Sequence, residues 1–149
     1  MKKLLFSCLS AIIIFTACKK ESNDSNYSTW TINHKETFQT KEVTASIGCN
    51  GDNSLCAAEL LANLPESAFH IAFYTDQFPQ DSVIEFSSPG CFVAFYYKDA
   101  QYNHTYAKTD TLYASSINGK VRYKLPASWF ICNHNPDDSI LVEGVFNEP

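Results

Sequence analysis

Residues 110–126, DTLYASSINGKVRYKLP, contain the clearest local signal for the fold of this chain. Asn118-Gly119 favours a type I′ turn, because both central positions of that turn need a positive φ. A two-residue loop at this point fixes the register and separates an apolar face from a polar one. The predicted pairs are Leu112–Leu125, Ala114–Tyr123 and Ser116–Val121 on one face and Tyr113–Lys124 and Ser115–Arg122 on the other. The segment therefore predicts an antiparallel β-hairpin.

Other short segments that are alternating or apolar lie on both sides of this hairpin. They are residues 30–33, 42–47, 69–74, 83–86, 91–97, 128–132 and 139–146. Turn-forming residues separate them, so we expect an all-β fold, an antiparallel β-sandwich of about seven to nine short strands. A small barrel is the alternative. One short helix is expected near residues 54–63, where Leu55, Ala58 and Leu61 form a stripe that Pro65 ends.

The first 17 residues have the pattern of a secretory signal peptide. Lys2 and Lys3 form a positive start, and the apolar run from Leu4 to Phe15 contains 12 residues. As a helix this run would extend about 18 Å, too short for the ~30 Å hydrocarbon core of a bilayer. We therefore expect residues 1–17 to be a leader that is removed on export.

Phe15-Thr16-Ala17-Cys18 resembles the lipobox of bacterial lipoproteins. The resemblance implies that Cys18 is the first mature residue and carries a lipid anchor, and two or three acyl chains bind a membrane stably. Together with the opening WTIN and closing VEGVF strands, the chain looks like the small outer-membrane lipoproteins of some Gram-negative bacteria, many of them β-sandwiches of unknown function. This implies a location in the cell envelope, on either membrane face. A simple secretory leader that leaves Cys18 free is the alternative.

The rest of the chain divides into a polar tether, residues 18–28, and one domain, residues 29–149. Loss of Lys2 and Lys3 with the leader changes the formal net charge from −5 to −7. Nucleic-acid binding needs clustered Lys and Arg, which this acidic chain lacks. We therefore expect a membrane, a glycan or a protein as partner, and no nucleic acid.

Four cysteines remain for the domain: Cys49, Cys56, Cys91 and Cys132. An even number in an exported chain predicts disulfides, with three possible connectivities. We favour Cys49–Cys56 and Cys91–Cys132. A zinc site is disfavoured, because the paired short spacings of zinc ligands are absent.

Three Asp-Ser/Thr-apolar triplets, at Ser82, Thr111 and Ser139, are similar to an O-glycosylation motif of exported proteins in some Gram-negative bacteria. The alternative is ordinary turn chemistry in front of a strand. The residues Asn133, Asn135 and Asp137 are spaced like the opening of a calcium loop. Asp138 occupies the position that needs glycine, so a turn is favoured. We expect no metal and no cofactor, and His34, His70, His104 and His134 have no spacing typical of metal ligands.

Five tyrosines are concentrated in one third of the chain: Tyr96, Tyr97, Tyr102, Tyr106 and Tyr113. Exposed tyrosines could stack on sugar rings or bind a protein partner, whereas packed ones would fill the core, which we favour. No familiar nucleophile–base motif is present. We therefore expect a non-catalytic domain that binds a ligand or partner. The alternatives are a structural coat protein and a hydrolase of envelope or glycan material that uses Asp110 or Glu85 with a histidine.

Overall fold

The computed structural model describes residues 27–51, 55–86, 90–104 and 110–149. These residues form eleven β-strands and no helix. The strands are β1 (Ser28–Ile32), β2 (Glu36–Thr40), β3 (Thr44–Cys49), β4 (Cys56–Asn63), β5 (Ser67–Phe73), β6 (Val83–Glu85), β7 (Cys91–Tyr97), β8 (Ala100–His104), β9 (Thr111–Ile117), β10 (Lys120–Cys132) and β11 (Ser139–Asn147).

All eleven strands belong to one antiparallel sheet, with the main order β2-β1-β11-β10-β8-β7-β5-β4-β3, β9 beside β10, and β6 beside β9. The 13-residue β10 carries two neighbours end to end, because Lys120–Lys124 pairs with β9 and Phe130–Cys132 pairs with β8. On its other side, the register with β11 shifts between Leu125 and Ser128. Pro126, which has no N–H to donate, lies in this bulge.

The sheet curls into a half-barrel, and its concave face encloses an aromatic core. Trp30 of β1 is fully buried, and its Nε1–H donates to Ser67 Oγ of β5 at 2.9 Å. The Trp30 ring meets Phe69 edge-on at 5.2 Å, and Phe69 meets Phe146 of β11 at 4.6 Å. Because β1 and β5 are not neighbours in the sheet, these contacts cross the interior of the curl.

The two strands at the ends of the main order, β2 and β3, follow one another in the chain and are separated by residues 41–43. Glu36 ties β2 to the end of β7. Its Oε1 accepts a hydrogen bond of 2.5 Å from the Tyr97 hydroxyl and one of 3.2 Å from Lys98 Nζ. This cluster of Glu36, Tyr97 and Lys98, here called the edge clip, joins β2 to β7, which is not its neighbour in the sheet.

The predicted hairpin is confirmed as β9–β10. Asn118 and Gly119 have φ values of 54° and 79°, as a type I′ turn requires. The predicted pairs that the ladder confirms are Ala114–Tyr123, Ser116–Val121, Tyr113–Lys124 and Ser115–Arg122. Ala114 and Tyr123 are buried, so the apolar face is the core face.

The prediction of a helix near residues 54–63 is wrong, because Cys56–Asn63 forms β4 between β3 and β5. Ala58, Leu60 and Ala62 are buried in strict alternation. The sequence allows both a helical stripe and this alternation, and pairing on both sides selects the strand. The sandwich of seven to nine strands is not confirmed either, since the described strands number eleven and form one curled sheet.

The first described residues pack against the last strand. Ser28, assigned above to the tether, is fully buried at the start of β1. Its hydroxyl accepts a hydrogen bond of 2.9 Å from the Asn147 N–H, near the end of β11. The two ends of the domain are therefore joined.

Candidate functional site

The candidate site lies beside the turn that joins β7 to β8. Lys98 and Asp99 have φ values of 50° and 64°, and the flanking residues Tyr97 and Ala100 pair with each other. The turn is thus a two-residue loop in left-handed conformation, which glycine or asparagine adopts easily. For lysine this conformation costs roughly 1 kcal/mol or more, and such residues concentrate at functional sites.

A shallow groove of about 300 Å³ borders this turn. Its lining includes Tyr96, Lys98 and Asp99, together with Asn63 at the end of β4 and Glu66 from the β4–β5 connection. The two turns are in contact, because the Lys98 N–H donates to the Glu66 carbonyl oxygen at 3.4 Å. The side chain of Tyr96 is 41% exposed. This Tyr96 groove combines an aromatic ring with amide, ammonium and carboxylate groups.

The polar residues of the groove were not among the candidates that the sequence provided. The one local signal for them is the polar pair Lys98-Asp99, which directly follows the apolar run at 91–97. Asn63 and Glu66 join the groove only because β4 and β5 place their connection next to that turn. No periodic pattern in the sequence indicates this contact.

The edge clip fixes the charge at one rim of the groove. The Tyr97 hydroxyl, and then Lys98, lower the pKa of Glu36, whereas the Tyr97 hydroxyl and then Glu36 raise the pKa of Lys98. Lys98 Nζ also lies 4.6 Å from the centroid of the Tyr97 ring, in cation–π geometry. Both Glu36 and Lys98 are therefore charged at neutral pH.

The candidate tyrosines fall into two groups. Tyr96 and Tyr113 are exposed, at 41% and 46%, on the outer face of the sheet. Tyr97 and Tyr102 are buried in the core cluster, as the favoured interpretation of these tyrosines expects, and Tyr97 also lines the Tyr96 groove. Successive residues of a strand face opposite sides, which separates Tyr96 from Tyr97. Tyr106 lies outside the described residues.

A histidine and a carboxylate named for the hydrolase alternative do come together. His104 Nε2 is 2.9 Å from Asp110 Oδ2, and the His104 side chain is only 5% exposed. The rings of Phe86 and Phe130 meet the imidazole edge-on at 4.7 and 5.9 Å. Glu85 is exposed on β6 and takes no part in this pair. The His104 imidazole is thus packed among aromatic rings, whereas the Asp110 side chain is 25% exposed.

One of the two predicted disulfides is confirmed. Cys49 of β3 and Cys56 of β4 pair directly across the ladder and are joined by a disulfide. Cys91 and Cys132 are buried free thiols, so the prediction that they pair is wrong. Burial raises the pKa of the Cys91 thiol to about 12, which keeps it protonated at neutral pH.

The strand register explains why Cys91 and Cys132 are separate. Cys132 pairs with Tyr102, and Tyr102 pairs with Phe95. Cys91 lies four positions before Phe95 on β7, which is about 13 Å along the strand. A disulfide needs Cα atoms within about 7 Å of each other.

The three predicted glycosylation sites differ in access. Ser82 Oγ is buried and has no hydrogen-bond partner among the residues that the structure describes, Thr111 is half-buried, and Ser139 is exposed. The calcium-like stretch forms a turn in which Asn135 Oδ1 accepts from the Asp137 N–H at 3.2 Å. Within the described ranges, no group of three His, Cys, Asp or Glu side chains is arranged to hold a metal ion.

The predicted leader, Cys18 and the tether up to residue 26 lie outside the described residues. In the part of the chain from residue 27 onward that is described, no helix is long and apolar enough to cross a membrane. No protein-family model, curated protein or solved structure matches the chain. Its fold and groove therefore define it as an antiparallel half-barrel domain with a candidate ligand groove.

Proposed function

We propose that this protein is an exported lipoprotein, anchored in the cell envelope through Cys18, whose β-domain binds a ligand without catalysis. The observation that carries the binding proposal is the exposed Tyr96 side chain in a groove that polar residues also line. An apolar or aromatic surface with a few polar groups that fix orientation is the usual composition of a ligand site.

The chemistry of the Tyr96 groove fits a saccharide. The Tyr96 ring offers a flat apolar surface for the C–H face of a sugar. Asn63 can donate and accept hydrogen bonds, Glu66 and Asp99 accept them, and Lys98 donates them. Sugar hydroxyls need both kinds of partner. A stable protein interface buries about 800 Å² on each side, and a single exposed tyrosine beside a small groove favours the smaller ligand.

Two exposed tyrosines provide a matched test. Tyr96 borders the groove, whereas Tyr113 is equally exposed on β9 and does not line it. An array of neutral oligosaccharides should retain the wild-type protein. Tyr96→Ala should weaken binding to the retained sugar roughly 5- to 30-fold, because loss of a stacked ring removes about 1–2 kcal/mol. Tyr113→Ala should bind as the wild type does. Equal binding by all three proteins, or retention of no sugar, would refute the proposal.

The anchor proposal rests on the lipobox-like residues Phe15-Thr16-Ala17-Cys18. Cys18→Ser should release the protein from membranes and abolish labelling with fatty acid, since the acyl chains supply the binding energy. The matched control is Ser22→Ala in the predicted tether, which should leave both unchanged. A Cys18→Ser protein that still fractionates with membranes and carries fatty acid would overturn the anchor.

A glycan-directed hydrolase is the second candidate, and the contact between His104 and Asp110 favours it. Its test is the release of reducing ends from the sugars that the protein retains. We expect the wild type to release none. Cleavage by the wild type that is lost in Asp110→Asn, with binding intact, would replace the non-catalytic proposal with this one.

A further inference from the structure

A second depression adjoins the Tyr96 groove. It has a volume of about 360 Å³, and its lining includes Glu42, Thr44 and Leu61 together with Asn63. Asn63 also lines the Tyr96 groove, so the two depressions meet at this residue. They are here called together the extended groove.

The strand register places the extended groove on the outer face of the sheet. Asn63 of β4 pairs with Ala68 of β5, and Ala68 pairs with Tyr96 of β7, so the three side chains lie in one row on one face. Leu61, two positions before Asn63, faces the same side and pairs with Thr44 of β3. From β7 to β3 there are three strand spacings, or about 14 Å, which is roughly the length of three linked sugar units.

The side chains of the second depression have the composition of a sugar site. Glu42, Thr44 and Asn63 are exposed, and none of their side chains has a hydrogen bond or ion pair with another residue that the structure describes. The Thr44 hydroxyl and the Asn63 amide can donate and accept hydrogen bonds, and the Glu42 carboxylate can accept them. Leu61 is half-buried and adds apolar surface. A sugar ring next to the one on Tyr96 therefore finds both polar and apolar partners.

The charge of the extended groove disfavours acidic ligands. Its lining contains three carboxylates, those of Glu42, Glu66 and Asp99. Lys98 is the one cation in the described lining, and its ammonium is already paired with Glu36 at 3.2 Å. A chain that carries carboxylates would therefore be repelled, whereas an uncharged chain would not.

We infer that the extended groove binds an uncharged oligosaccharide rather than a single sugar, with the chain running from Tyr96 past Asn63 to Thr44. One ring stacks on Tyr96, and a ring further along the chain contacts Leu61 and hydrogen-bonds to Thr44 and Glu42. This inference rests on the saccharide binding proposed above. It adds the length of the ligand, its path over the sheet and its lack of charge.

Chain length and charge test this inference on the wild-type protein. Mono-, di-, tri- and tetrasaccharides of glucose, of mannose and of N-acetylglucosamine are titrated by calorimetry. In the series that binds, the affinity should rise at least tenfold from the monosaccharide to the trisaccharide, because the added rings contact the second depression. A uronic-acid trisaccharide of the same linkage should bind at least fivefold more weakly than the neutral one.

Variants separate the two halves of the extended groove. The double variant Glu42→Ala, Thr44→Val removes the polar groups at the far end from Tyr96. It should weaken trisaccharide binding at least fivefold and leave monosaccharide binding unchanged, whereas Tyr96→Ala should weaken both. Ser46→Ala is the matched control, because Ser46 lies on the same face of β3 as Thr44 and lines neither depression.

The outcomes distinguish this inference from the function on which it rests. Equal affinity for the monosaccharide and the trisaccharide, or for the acidic and the neutral trisaccharide, would overturn the inference and leave saccharide binding at Tyr96 intact. Should the double variant fail to fold, the comparison of chain lengths on the wild type still decides the question. If no saccharide binds, the proposed function fails and the inference fails with it.

Discussion

Gly144 provides the sharpest test of how the half-barrel is packed. It lies in the middle of β11 and pairs with Trp30 of β1 and Leu125 of β10. A Cβ atom added to Gly144 would lie 2.7 Å from the Thr29 carbonyl oxygen and 3.0 Å from Trp30 Cβ and Phe146 Cζ. The φ of Gly144 is not in the left-handed region, so alanine is disfavoured there by steric clash and not by backbone conformation.

The cost of Gly144→Ala follows from the atoms that would have to move. One is a backbone oxygen of β1, which is held in a ladder with β2 and β11. The other two belong to the fully buried Trp30 and Phe146. Overpacking of this kind typically costs about 1–3 kcal/mol of folding stability. Because one of the contacts is with the backbone, we expect Gly144→Ala to cost about 3 kcal/mol. For a domain of this size the melting temperature should fall by roughly 10 °C.

Gly48 is the matched control, because it lies on the edge strand β3 and a Cβ there would meet open space. Gly48→Ala should be neutral or stabilising by up to about 1 kcal/mol, since glycine in a strand is entropically unfavourable. Urea unfolding followed by tryptophan fluorescence measures both variants. A Gly144→Ala protein that unfolds within about 0.5 kcal/mol of the wild type would refute this account of the packing of Trp30 on β11.

Three further outcomes follow from the described contacts. The pKa of Glu36 is lowered in the folded protein, so ionised Glu36 stabilises the fold above the ordinary glutamate pKa of about 4.3, and this stabilisation is lost at lower pH. The urea midpoint of Glu36→Gln should therefore approach that of the wild type as the pH falls from about 7 to about 3. A constant difference between the two midpoints would contradict this. Ser67→Ala should cost about 1–3 kcal/mol in urea unfolding, because the Trp30 indole N–H is left buried and unpaired; an unchanged midpoint would show that the bond is dispensable. In protein that lacks the leader and carries Cys18→Ser, Cys91 and Cys132 should react with a thiol reagent only after unfolding, and rapid labelling of native protein would show that they are accessible.

The elements that the sequence predicts correctly are those with local determinants. Asn118-Gly119 fixes a turn within two residues, and the register of β9 and β10 follows from it. Cys49 and Cys56 are close in sequence and are brought together by one hairpin. β4 is different, because its apolar residues fit both a helix and a strand. Only the ladders with β3 and β5 decide between the two, and these depend on distant parts of the chain.

The candidate sites show the same dependence on distant contacts. In the run at 91–97 nearly every residue is apolar, so alternation does not reveal that Tyr96 faces outward and Tyr97 inward. The partnership of His104 with Asp110 depends on how β8 and β9 both lie along β10. A sequence pattern can nominate such residues, but the curl of the sheet determines which of them meet.

The three Asp-Ser/Thr-apolar triplets have a structural explanation that their sequence pattern does not reveal. Each aspartate lies one or two positions before a strand and accepts a hydrogen bond from a residue of another strand. The contacts are Ser116 N–H to Asp81 Oδ1 at 2.8 Å, His104 Nε2 to Asp110 Oδ2 at 2.9 Å, and Tyr102 hydroxyl to Asp138 Oδ2 at 2.8 Å. Burial, and then Asp138, raise the pKa of Tyr102 to about 12. Each aspartate therefore makes a contact within the fold whether or not a sugar is attached to the residue that follows it.

Two of the predicted glycosylation sites, Ser82 and Ser139, differ in the solvent accessibility of their hydroxyl groups. A sugar on Ser82 would need its enclosed hydroxyl to emerge, although both backbone hydrogen bonds between Ser82 and Ala114 hold it in place. Ser139 is exposed at the first position of β11 and can carry a sugar without any rearrangement. In a host that modifies this motif, Ser139→Ala should therefore remove a glycan mass that Ser82→Ala leaves intact, as measured on the intact mature protein. A glycan located on Ser82 in natively folded protein would contradict the packing of Ser82 against β9.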